Sequence, residues 1–205
     1  MVHFLRVEDD PQTHFLAGLI FSGRGRHLDA ISHYQRAIEL KKDFYEAQNN
    51  LGTIYLTLEQ WDQAIPVFDA LSQNVLYPSP GLSHNNLGWA YYKKKDFQKA
   101  KSHFLSAIQL SPTLCPSYNN MGLTFMALED IEPAIRYLKQ AIDRCPQYAE
   151  PYHHIGQIFF TLKRFDLSKK AFEKCSKLAS ESPIGLKCDQ KLSLMSNGYQ
   201  DETSE

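Results

Sequence analysis

The chain has no apolar run approaching the roughly 18 residues that a membrane-crossing helix requires, so no segment reads as a transmembrane span. It also lacks a charge of one sign. Its 22 Lys and Arg against 23 Asp and Glu leave a net charge of −1, which removes the electrostatic case for nucleic acid or anionic lipid as a partner. The four cysteines show no CxxC spacing and the eight histidines are scattered, so no zinc site or other metal site is expected. There is no GxSxG, no HExxH and no glycine-rich phosphate loop; Gly23-Arg24-Gly25 reads as a short turn between helices. Neither an enzyme nor a bound cofactor is expected. The opening MVHFLRVEDD has no basic leader followed by an apolar stretch, so no export signal is expected in these residues.

What is present is periodic. Gly18, Gly52, Gly88, Gly122 and Gly156 recur at intervals of 34, 36, 34 and 34 residues. Each has an aromatic three residues later (Phe21, Tyr55, Tyr91, Phe125, Phe159) and a small residue twelve later (Ala30, Ala64, Ala100, Ala134, Ser168). A 34-residue frame of this kind resembles the tetratricopeptide repeat, a pair of antiparallel helices. It implies an all-α solenoid, a right-handed superhelix of stacked pairs. The lead-in is 1–10. Five full repeats follow at 11–44, 45–80, 81–114, 115–148 and 149–182, then a capping helix or partial repeat at 183–196 and a disordered polar tail at 197–205. No repeat can bury its own apolar face, so stacking makes the core continuous. Within a repeat, positions 4, 7, 8 and 11 share one helix face. Glycine at position 8 and the small residue at 20 let paired helices approach, with the side chains at 11 and 24 filling the space alongside.

Prolines mark the departures. Pro112 and Pro146 close repeats three and four. The second repeat is two residues longer and ends NVLYPSP, where Pro78 and Pro80 imply an extended connection. Pro66 predicts a kink or late start in the second helix of that repeat, whereas Pro133 falls in a first turn.

First helices line the concave side of such a stack, at positions near 2, 5, 6, 9, 12 and 13. Position 5 reads Phe15, Asn49, Asn85, Asn119, His153. Asn50, Asn86 and Asn120 form a ladder at position 6. Their amides either pair with the backbone of a bound peptide or bond neighbouring helices and water. An apolar set accompanies them: Phe15, Leu19, Leu56 and Trp89, then Tyr92, Leu123, Met126 and Phe160. Either a partner segment covers this set or a narrow groove lets the side chains fill it themselves. A partner covering about 400 Å² would gain about 10 kcal/mol gross, before the cost of association. Position 2 is Gln12, Glu46, Leu82, Pro116 and Glu150, so no cationic clamp for a C-terminal carboxylate is present and a heat-shock co-chaperone is disfavoured.

The register pairs the cysteines. Cys115 opens the first helix of repeat four and Cys145 ends its second. Cys175 sits at position 27 of repeat five, facing the next helix, which carries Cys188. Disulfides Cys115–Cys145 and Cys175–Cys188 fit the frame, each contributing about 3 kcal/mol on a chain-entropy estimate, and would indicate an oxidising compartment. The alternative is four buried thiols acting as small hydrophobes.

From Asn49 to Phe97 the match is more specific. NNLGTIYL, WDQAIPVF, the inserted LYPSP and NNLGWAYYKKKDF resemble the type IV pilus secretin-assembly lipoproteins, the pilotins of the Tgl and PilW kind. The resemblance implies a lipid-anchored protein at the periplasmic face of the outer membrane that helps secretin subunits multimerise. The signal and lipidated cysteine of that family are not in this sequence, and a membrane would be reached only through that anchor. The family's usual six repeats compare with five and a partial sixth here. The alternative is a cytoplasmic scaffold or adaptor binding another peptide segment; a regulatory domain of a larger enzyme is a third reading.

Overall fold

The computed structural model describes residues 9–201. Among them lie eleven α-helices and no strand. They fall into two compact units that divide between Leu110 and Ser111.

The first unit holds α1 (Pro11–Gly23), α2 (His27–Leu40), α3 (Tyr45–Thr57), α4 (Trp61–Gln73), α5 (Pro80–Lys93) and α6 (Phe97–Leu110). Asp10 caps α1, its carboxylate accepting the Thr13 backbone N–H at 2.8 Å. Proline opens α1 and α5, where a missing N–H costs nothing. The first core cluster joins Ala30, Tyr34 and Ala37 to Phe44, Ala47 and Leu51, so each pair buries its face against the next. The second joins Ala64, Phe68 and Leu71 to Leu87, with Tyr77 from the inserted segment.

The glycine column has a direct steric reason. A Cβ on Gly18 would stand 2.5 Å from the Tyr34 ring, on Gly52 2.7 Å from Phe68, and on Gly88 2.6 Å from Phe104. The ring at position 24 therefore occupies the space that a side chain at position 8 would need. Those rings are all but fully buried, worth about 1.5–3 kcal/mol each by area.

A second column was not visible in the sequence. Position 15, the residue after each first helix's cap, is left-handed in every repeat: Gly25 (φ 72°), Glu59 (57°), Lys95 (63°), Glu129 (60°) and Lys163 (56°). The following N–H then bonds back across the helix end, as Gln60 does to the Tyr55 carbonyl at 2.8 Å, a Schellman closure.

Helix α4 starts at Trp61, with Pro66 as its sixth residue, which removes the late start from the two alternatives drawn for that proline. Two expectations are corrected here. The inserted segment turns instead of running extended. The Tyr77 N–H bonds the Asn74 carbonyl at 3.1 Å and the Leu76 N–H bonds Asn74 Oδ1 at 2.9 Å, which swings the Tyr77 ring inward. Helix α5 accordingly begins at Pro80, one residue before the repeat boundary drawn from the spacing.

The second unit holds α7 (Cys115–Ala127), α8 (Ile131–Arg144), α9 (Glu150–Thr161), α10 (Phe165–Leu178) and α11 (Pro183–Asp201). Ala134 and Leu138 pack on Ile155 and Ile158; Phe172, Cys175 and Cys188 form the cluster beneath α11. Both cysteine pairs of the register are at bonding distance, with Cα–Cα separations of 6.3 Å for Cys115–Cys145 and 6.2 Å for Cys175–Cys188. Helix α11 runs on to Asp201, so 197–201 belong to a helix and not to the expected tail; 202–205, like 1–8, lie outside the described residues. No helix of the described residues is long and apolar enough to cross a membrane.

Candidate functional site

In the first unit the surface residues gather around α5. Trp89 and Tyr92, three apart and so on one face, stack at 5.3 Å with 15° between planes. Phe97 tilts against Tyr92 at 5.7 Å. The Lys93 ammonium lies 5.3 Å from the Trp89 ring and 5.9 Å from that of Trp61, a cation held between two indoles. Burial raises the Tyr92 hydroxyl pKa. Trp61, the first residue of α4, is not among the residues that the spacing placed on this surface.

On α1, Leu19 is 41% exposed, with Leu16 at 56% and Ile20 at 55% beside it. Ile20 had not been placed on this face. Phe15 differs: its ring sits 4.8 Å from Phe44 and 6.0 Å from Tyr34, so it braces the core. Leu56 likewise packs on the cluster of Phe68 and Leu87. In the second unit Met126 packs on the cluster of Ala134 and Leu138, Leu123 is half-buried, and Phe160 is 42% exposed with its ring edge on Phe165 at 5.7 Å. Phe15, Leu56 and Met126 of the apolar set thus serve packing as well.

Position 5 is also more inward than expected. Asn85, Asn119 and His153 are buried. The position-6 amides remain half-buried at the surface. Asn50 bonds the Tyr34 hydroxyl, and Asn86 Oδ1 accepts from Asn85 Nδ2 at 3.5 Å. Asn120 lies on α7, its carbonyl accepting the Thr124 hydroxyl at 2.7 Å.

One buried group collects metal-ligand atoms. His153, Cys175 and Cys188 bring theirs within 4.8 Å of one another, with His153 Nδ1 3.4 Å from Cys188 Sγ. Burial, helped by His154, Lys187 and Lys191, pushes His153 down to about 4. The sulfurs are bonded to each other, so the group is a disulfide with a neutral imidazole beside it.

The tetratricopeptide repeat models match 43–113 and, separately, 11–44, 116–148 and 149–182. None of the curated proteins compared with the chain matches it. Among solved structures it is similar to TTC0263, a thermophilic TPR protein of Thermus thermophilus (19% identity, TM-score 0.74, covering 90% of this chain and 98% of that one). It is similar to PilW, described as a widely conserved type IV pilus biogenesis factor (17%, TM-score 0.76, 88% and 83%). It is also similar to pilF of Pseudomonas aeruginosa (16%, TM-score 0.74, 94% and 86%). At these identities the likeness is one of fold.

Proposed function

The chain belongs to the tetratricopeptide repeat family, and from that premise we propose that it is a non-enzymatic assembly factor of the pilotin type. It binds secretin subunits through its first-helix faces and promotes their multimerisation into the outer-membrane pore for type IV pili. It acts at the periplasmic face of the outer membrane.

The observation that carries the reading is the LYPSP insertion. Its tyrosine is built into the core against Tyr45, ring to ring at 5.8 Å, while Val75 and Leu76 stand 96% and 74% exposed. A segment anchored by one side chain and holding two apolar neighbours out to solvent offers a partner a place to bind. The same segment carries the resemblance to the pilotins, and PilW shares the fold. The two cysteine pairs at bonding distance suit an oxidising compartment.

In this role Trp89 and Tyr92 of the first unit shield apolar side chains of an amphipathic secretin segment until the ring closes, with Asn86 on its backbone. In the second unit Leu123 and Asn120 offer a like pairing as a separate face. Helix faces that bind reversibly need modest apolar area, which half-buried side chains supply. Replacing Trp89 and Leu123 together by Asp is expected to abolish secretin multimers, read as the heat-resistant species on a gel, with helical circular dichroism unchanged. Wild-type multimers from a folded variant would overturn the proposal.

A further inference from the structure

Helix α1 shows to solvent a stripe that the other first helices hide. Positions 3, 7 and 10 of repeats two to five are buried throughout. In repeat two these are Ala47, Leu51 and Ile54, which share a core cluster with Ala30, Tyr34 and Ala37 of the preceding second helix. Position 10 carries the contrast. Ile54, Ala90, Thr124 and Ile158 are at most 4% exposed, whereas Ile20 is 55% exposed. Thr13 at position 3 is exposed as well, and Ala17 at position 7 is half-buried.

Repeat one also departs from two polar columns. Position 6 is Leu16, 56% exposed, where the others carry Asn50, Asn86, Asn120 and His154. Position 18 is Leu28, 74% exposed, where the others carry Asp62, Gln98, Glu132 and Asp166. Repeats at the ends of a stack stay soluble by turning a polar face outward. The first repeat here does the reverse, and none of these residues has a part in the reading above.

The stripe is laid out for a copy of itself. Asp10, Thr13, Ala17, Ile20 and Arg24 are spaced three and four apart in turn, the seam of a two-helix contact. Its middle residue is small, and a Cβ on Gly23 would meet nothing within 4 Å, so a second helix can come close. No Asp, Glu, Lys or Arg lies between Pro11 and Gly23; the charges stand at the two ends. Asp10 caps the helix through Oδ2, and a carboxylate has lone pairs for further donors. Arg24, at the other end, is exposed.

Turning a second α1 end for end about an axis near Ala17 brings Asp10 of each copy to Arg24 of the other, with the helix dipoles opposed. A parallel copy would set Asp10 against Asp10. With Leu16 along its edge the stripe covers roughly 500 Å² of each copy. Two copies then bury roughly 1,000 Å², the least that a specific interface clears, which fits a weak and reversible dimer.

We propose that two copies of this chain associate through α1, antiparallel about a two-fold axis near Ala17. The repeat frame supplies the control: Leu16→Asn copies position 6 of repeats two to four, and Ile20→Lys puts a charge on an exposed position. Sedimentation of the untagged protein, from micromolar to several hundred micromolar, should show a monomer–dimer equilibrium. The double variant should stay monomeric throughout, with helical circular dichroism retained. Arg24→Glu should raise the dissociation constant about tenfold, by setting like charges together at both ends. Ala17→Cys under mild oxidation should give a covalent dimer, and Ser32→Cys on α2 should not. A parent that is monomeric at every concentration would overturn the proposal, leaving the face to a different protein. A dimer that forms only after residues 1–8 are deleted would overturn it too, by giving the face to that segment. So would an unchanged dimer in the folded double variant, or assembly beyond two copies.

Discussion

The two units build the same helix pair but fasten it differently. In the first, residues 9–110, fastening is electrostatic: Arg36 and His14 on Asp9, Lys94 on Asp62, and two facing imidazole pairs, His14 with His33 and His84 with His103. Exposed ion pairs of this kind contribute little. In the second, all four cysteines stand where helix ends or neighbouring helices meet. The glycine-to-ring contact is common to both units, down to Gly156 against Phe172 at 2.8 Å. The contrast teaches that the repeat core specifies the pair, while the closure around it is free to vary with what that end of the chain must withstand.

The sharpest way to break the comparison is to remove the covalent closures. Replacing Cys115 and Cys145 by Ser should cost about 3–4 kcal/mol on the chain-entropy estimate, and replacing Cys175 and Cys188 about 3 kcal/mol, the shorter loop constraining the unfolded chain less. The loss should be confined to the second unit, read by hydrogen exchange resolved along the chain. Protein isolated without reductant should show no titratable thiol. Equal loss of protection in both units would mean that the closure serves the whole array.

Acid is the second probe, of smaller effect, and it acts on both units. An imidazole whose folded pKa is depressed leaves the unfolded chain binding protons that the fold refuses. Its contribution is intact above about 6.5 and is lost as pH falls through the folded value. In the second unit that window reaches down to about 4 for His153, with His154 shifted the same way. In the first it belongs to His84 and His103, with Asp69 and Lys99 as the neighbouring charges. His153→Asn, which copies position 5 of repeats two to four, should flatten the acid limb of the second unit alone. Urea midpoints taken from pH 7 to pH 4 would check this.

The smallest effect tests the sameness of the units. Lys95→Gly in the first and Lys163→Gly in the second should each stabilise by about 0.5–1 kcal/mol, since glycine relieves the left-handed strain but loses more entropy on folding. Unequal gains in thermal melts would show that the turns are not equivalent.

These positions also show where the sequence was readable. The 34-residue interval was legible because Gly88 must yield its side-chain volume to Phe104, and no other residue does so. The cysteine pairs were legible because helix ends in a fixed frame have fixed neighbours. The left-handed turn was hidden, because glutamate and lysine fill a place where only Gly25 gives the expected sign. Tyr77 was hidden because two prolines suggested an extended chain, while the Asn74 amide folded it into a turn. The groove was half legible. Spacing put Trp89 and Tyr92 on one face, but it did not tell that Phe15, Leu56 and Met126 pack against the core clusters. The histidine pairs lie 19 residues apart, at positions without a column of their own.

The Cys115–Cys145 bond has a mechanical meaning as well. Its sulfurs enclose 30 residues of separation, on the order of 100 Å of contour when drawn straight. A pull on the two ends of the chain cannot extend that stretch while the bond lasts. Under tension the second unit would yield in short steps where the first gives long ones, and a reductant would restore the missing length.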